Sequence, residues 1–111
     1  MAEVTTEQRG DVSIARAVGE VDMATAQDFA SALTDAVSGS VTRLVVDLSG
    51  MTFMDSSGVG ALFRLGGKLA ERRQELRLVV PRGAPIEKML RLVEIGRIAP
   101  LHESLEDAVQ A

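Results

Sequence analysis

Apolar positions along this chain change their period several times, and each change marks an element. Val12, Ile14 and Val18 share one face of an extended segment that Arg16 interrupts. With Val4 to Arg9 before them and Gly10-Asp11 between, they predict a β-hairpin. Gly19-Glu20-Val21-Asp22 then reads as a break in the strand, with Asp22 placed to cap the next segment. Phe29, Ala32, Leu33, Ala36 and Val37 recur at i, i+3, i+4, i+7 and i+8, the apolar stripe of a helix that Ser38-Gly39-Ser40 ends.

Leu44-Val45-Val46, with Asp47 and Leu48 behind it, is a short apolar run suited to a strand buried on both faces. A second helix pattern starts near Ser57, with Val59, Leu62, Phe63, Gly66, Leu69 and Ala70 inward and Arg72 and Arg73 closing its last turn. Leu76, Leu78 and Val80 alternate until Pro81. The unit from Leu44 to Val80 is therefore strand, helix, strand, which favours parallel pairing through a right-handed crossover. Pro85 suits the first turn of a third helix, carried by Ile86, Met89, Leu90 and Val93 and ended by Gly96. Ile98 and Leu101 suggest a short strand. Ser104 to Gln110 is a terminal helix with Ser104 as cap and Leu105, Ala108 and Val109 inward. The expected architecture is an α/β layer fold, a mixed sheet of about five strands with about four helices on it.

Composition narrows what such a fold can do. The 111 residues favour one domain over 1–111. A net charge of -4 without a Lys/Arg block argues against a direct nucleic-acid partner, which needs a basic face. Cysteine is absent, which removes disulfides, thiolate catalysis and Cys-type zinc sites, and the lone His102 cannot build a multi-histidine metal site. Met1 to Glu7 has no signal-peptide character, and no apolar run approaches the roughly 20 residues that span a bilayer. No metal, cofactor or membrane is expected, and the expected location is the cytoplasm.

The stretch Phe53-Met54-Asp55-Ser56-Ser57-Gly58-Val59-Gly60 carries the chemistry. It joins a buried strand to an amphipathic helix, at the carboxyl edge of the sheet where α/β proteins usually meet their ligands. A helix N-terminus there offers unpaired N–H groups and partial positive charge, and Gly58 and Gly60 carry no side chain to shield them. Such a turn suits a phosphate. Asp-Ser-Ser-Gly is equally an ordinary N-cap sequence in which one serine caps the helix, and a residue can serve both roles.

Met54-Asp55-Ser56-Ser57-Gly58-Val59-Gly60 closely resembles the phosphorylation motif of STAS domains, the sulfate-transporter and anti-sigma factor antagonist family. Gly19-Glu20-Val21-Asp22 resembles the family's second signature, Leu44-Val45-Val46-Asp47-Leu48 the strand before the motif, and Leu90 to Gly96 its third helix. Val59 stands where the family often has leucine. The resemblance implies an anti-anti-sigma factor used in partner switching and stress response. The unphosphorylated form would bind an anti-sigma factor with serine kinase activity and so free the sigma factor. That kinase would phosphorylate the second serine, Ser57, and a metal-dependent serine/threonine phosphatase would restore the active form. Asp22 would contact the kinase, Asp55 would fix the loop through backbone N–H groups with Ser56 assisting, and Met23, Ala24 and Thr25 would border the contact surface. The expected partner-binding set is Asp22, Met23, Ala24, Thr25, Asp55, Ser56, Ser57, Gly58 and Gly60.

Ser57 is not expected to be a nucleophile of this protein, and the chain is not expected to be an enzyme. A serine hydrolase would need glycine two residues before the serine, where Asp55 stands. A weak nucleotide-binding module is a further alternative, since a glycine-containing loop at a helix N-terminus can hold phosphate although the full P-loop or dinucleotide spacing is missing. A STAS subunit of a transporter-associated or stress-sensing complex would keep the fold and change the partner.

Overall fold

Parallel strands joined in sequence order by right-handed crossovers place every connecting helix on the same face of the sheet. The computed structural model, which describes residues 2–37 and 40–110, is built on that rule. β1 (Ala2–Arg9) and β2 (Val12–Val21) form the expected antiparallel hairpin, turning at Gly10, whose φ is 62°. β3 (Arg43–Met54), β4 (Glu75–Val79) and β5 (Leu101–His102) add in parallel, giving the order β1-β2-β3-β4-β5. The crossovers are α1 (Ala26–Asp35), α2 (Ser56–Glu71) and α3 (Glu87–Leu92). Phe29 and Leu33, Leu62 and Leu69, and Ile86 and Leu90 from these crossovers form one buried cluster with Ala15, Val46 and Leu78 of the sheet. The short α4 (Leu105–Gln110) covers the opposite face, over Val12, Ile14, Val45 and Val79. This explains the unbroken Leu44-Val45-Val46 run, since that strand is covered on both sides. Among the described residues, no helix is long and apolar enough to cross a membrane.

Several boundaries differ from the sequence reading, each for a tertiary reason. Gly19 does not break β2. It takes a φ of 116°, and register shifts beside it let the strand bend and run on to Val21. β3 likewise continues to Met54, whereas its pairing with β4 stops at Asp47. The paired ends of β2 and β3 thus project beyond β4 as a shelf. α2 ends at Glu71, so Arg72 is its C-cap, Arg73 follows at a φ of 58°, and Lys68 is the cation of the last turn. α3 stops at Leu92 because Glu94 turns left-handed, φ 55°, and a 3-10 turn over Ile95–Arg97 buries Ile95. Gly96 lies inside that turn, Pro85 lies before the helix, and Val93 is left exposed. Ile98 falls outside β5. α1 ends at Asp35, and Ser38 and Gly39 of the expected stop lie outside the described residues.

A charged seam runs along the edge of α4. Arg43 donates to the Glu75 carboxylate at 2.8 Å and to the Val109 carbonyl at 2.7 Å, and Arg77 donates to Glu75 at 2.9 Å. Burial would raise the Glu75 pKa, but the hydrogen bonds from Arg77 and Arg43 outweigh it and hold the carboxyl below its ordinary range. His102 is pushed the other way from charge. Burial first, then the Arg77 guanidinium, lowers it from an ordinary 6.5, and its Nε2 is buried without a hydrogen-bond partner. Between the two pKa values the unfolded chain binds a proton that the folded chain refuses. Stability should therefore fall as pH drops below about 6.5 and level off once the folded His102 titrates. Thermal melts between about pH 7 and pH 5 should show this decline in the wild type and lose it in His102→Gln. A variant that keeps the full decline would show that His102 is not its source.

Candidate functional site

The shelf made by β2 and β3 sets the site. Val21 pairs with Met54, and the next amide, Asp55 N–H, donates to the Val21 carbonyl at 3.2 Å. Asp22 and Asp55, far apart in sequence, thus come directly after two paired strand ends. Asp55 is the N-cap of α2, with extended backbone, and its Oδ1 accepts from Ser57 N–H at 2.8 Å and Gly58 N–H at 3.4 Å. Such a cap is worth about 1 kcal/mol. The cap is therefore the aspartate and neither serine, and Ser56 takes no part in those bonds.

Asp22 does not cap α1 itself. Its Oδ1 accepts from Ala24 N–H at 3.0 Å, Thr25 N–H at 3.1 Å and the Thr25 hydroxyl at 3.2 Å. These bonds fix a turn before the helix, whose N-cap position is Thr25. The turn lifts Met23 into solvent, 81% exposed, with Ala24 exposed beside it and Thr25 half-buried. Met54 is packed in the core at 2%.

Ser57 is half-buried and Ser56 is exposed. Because Asp55 is satisfied by backbone amides, the Ser57 hydroxyl is left without a hydrogen bond among the described residues, and its oxygen is not sealed from solvent. Gly58 has a different task from the one its sequence position suggested. It is buried, and a Cβ there would stand 2.5 Å from Met54 Cγ and 3.0 Å from Val21 Cγ1. The missing side chain lets the first turn of α2 press onto the shelf rather than baring amides to a ligand.

Ser57 opens onto a groove of about 660 Å³ between α1 and α2. Met23, Gln27 and Ser31 line one side, and Ser57, Arg64 and Lys68 the other. Ser57, Arg64 and Lys68 are spaced at i, i+7 and i+11, a helical spacing that puts them on one face of α2. Sequence reasoning missed both cations, although that spacing was the signal. His102 lies on the α4 side of the sheet, and its Nε2 has no partner, so no imidazole is set as a base for Ser57. Among the described residues, no group of three or more His, Asp or Glu could hold a metal ion.

Comparison with known proteins agrees with this geometry. The family model described as STAS domain matches residues 3–108. The anti-sigma-F factor antagonist RsfB of Mycobacterium tuberculosis is 29% identical over 107 residues, covering 96% of this chain and 85% of that protein. A crystal structure of an anti-sigma factor antagonist from Mycobacterium paratuberculosis superposes with a TM-score of 0.86 at 28% identity, covering 98% of this chain and 92% of the other. The Bacillus cell fate determinant SpoIIAA, solved in its phosphorylated form, shares the fold with a TM-score of 0.67 at 22% identity, covering 96% of each chain. With a family match across nearly its whole length and the sheet order described above, the chain belongs to the STAS domain family.

Proposed function

We propose that this protein is a cytoplasmic anti-sigma factor antagonist whose binding is switched by phosphorylation of Ser57. The unphosphorylated form binds an anti-sigma factor that is also a serine kinase, and so releases the sigma factor. The kinase transfers the γ-phosphoryl group of ATP to Ser57 Oγ, with loss of the hydroxyl proton and release of ADP. A metal-dependent serine/threonine phosphatase hydrolyses the ester and resets the switch. The protein itself is a binding module. Base, metal and nucleotide come from the kinase.

The observation that carries this reading is the state of the Ser57 hydroxyl. It stands free of hydrogen bonds among the described residues, beside an open groove, while the capping work is done by Asp55. A hydroxyl not engaged within its own chain can enter a partner's active site without breaking a bond of the fold. The relatives named as anti-sigma factor antagonists support the partner class.

The test is a labelling experiment. The protein is incubated with ATP and a kinase-type anti-sigma factor purified from the same cell, and the product is mapped by mass spectrometry. One phosphate on Ser57, absent from Ser57→Ala, is expected. Label confined to the more exposed Ser56 refutes the assignment.

A further inference from the structure

We propose that Arg64 is an internal clasp for the phosphate on Ser57. The inference rests on Ser57 being the acceptor, and it adds a residue that governs the modified state. Side chains on an α-helix lean toward its N-terminus. Arg64 follows that lean, and Gly60 gives it room. A Cβ at Gly60 would lie 3.3 Å from Arg64 Nη1, so the guanidinium already rests over the residue one turn closer to Ser57. Gly60 is three residues from Ser57, about 4.5 Å along the helix axis. Arg64 and Ser57 line the same groove.

Arg64 is exposed and holds no carboxylate among the described residues, unlike Arg16, Arg43, Arg77 and Arg91, each of which is paired. A phosphate on Ser57 would be a dianionic acceptor for its planar fork, which suits bidentate phosphate bonds. Lys68, one turn further on, lies too far along the axis to compete. Clasping would tie up the guanidinium, which holds no carboxylate among the described residues in the unmodified form. Phosphorylation would then alter the groove twice, adding negative charge at one end and engaging a cation that the unmodified form presents.

The test installs phosphoserine at position 57 during translation, so it needs no kinase. Its failure would leave the acceptor assignment standing, and a failed labelling experiment would leave its result readable. The second ionisation of the phosphate is followed by ³¹P NMR in the wild type, Arg64→Gln, Arg64→Lys and Lys68→Gln. An opposite charge at hydrogen-bond range favours the dianion, and for this exposed pair Arg64→Gln should raise the phosphate pKa by roughly half a unit to one unit. Lys68→Gln should match the wild type, and Arg64→Lys should fall between. The effect of the helix terminus is common to all four, so the differences isolate the side chains. Equal phosphate pKa values in the wild type and Arg64→Gln would overturn the clasp, as would a shift produced by Lys68→Gln alone.

Discussion

Protein phosphorylated on Ser57 should bind its anti-sigma factor at least about 100-fold more weakly than unmodified protein, whereas Ser57→Ala should keep wild-type affinity. The phosphate adds about -1.5 to -2 charges at neutral pH. It arrives beside two carboxylates, Asp22 and Asp55, that the paired ends of β2 and β3 hold at the same shelf. A dianion facing a surface that complements the unmodified site breaks charge complementarity across the interface, which costs several kcal/mol, and about 1.4 kcal/mol is a tenfold loss of affinity. The fold has no comparable reason to suffer. Asp55, not Ser57, caps α2, and the helix N-terminus favours an added anion by roughly 0.3 to 1 kcal/mol. Melting temperature should therefore hold while affinity collapses. Calorimetric titration of the anti-sigma factor into each form measures this. Ser57→Asp, with one charge and a shorter reach, should lose less than the phosphate. Equal affinities for Ser57→Ala and Ser57→Asp would remove charge as the cause.

The same shelf shows what a sequence can and cannot disclose. Leu44-Val45-Val46 and the alternation of Leu76, Leu78 and Val80 are dictated by burial along one strand, so they are legible from period alone. The helix stripes at Phe29 and Leu33, and at Val59, Leu62 and Leu69, are legible for the same reason. The end of β2 is not. Whether Gly19 breaks a strand or lets it bulge depends on the partner strand beside it, and β3 extends far enough to supply one. Gly58 and Gly60 look alike in sequence, as open backbone around a phosphate site. One is filled by Val21 and Met54 and the other is overlain by Arg64, and only the packing separates them. Glu75 opens β4 and ties Arg43 to Arg77, a bridge that its place in the sequence does not announce. In each case the missing information is the neighbour across space, which no local pattern contains.

Two adjacent glycines of α2 should respond to the same substitution with opposite signs. Gly67 is exposed, and a methyl group added there would meet nothing within 4 Å. Gly67→Ala thus gains only the helix preference of alanine and should stabilise by roughly 0.5 to 1 kcal/mol. Gly66 is buried, and a Cβ there would collide with Ile98 Cγ2. Ile98 is β-branched and stiff at χ1. It precedes Ala99, which is fully buried, and Pro100, whose carbonyl accepts from Leu78 N–H at 3.0 Å. Moving Ile98 therefore strains the entry to β5 and its bond to β4. Overpacking of this kind costs typically about 1 to 3 kcal/mol, which exceeds the propensity gain, so Gly66→Ala should be net destabilising by about 1 to 2 kcal/mol. Urea unfolding measures both midpoints. The discriminating variant is Gly66→Ala with Ile98→Ala, which deletes the colliding methyl. It should recover stability relative to Gly66→Ala, although Ile98→Ala alone removes packing. If Gly66→Ala instead stabilises as Gly67→Ala does, Ile98 yields freely and the close approach of α2 to the chain before β5 is not a constraint on the fold. Neither glycine touches the Ser57 end of the groove, so both variants should be labelled at Ser57 as readily as the wild type. That separation would place the rigidity of α2 in its packed middle and the switch in its first turn.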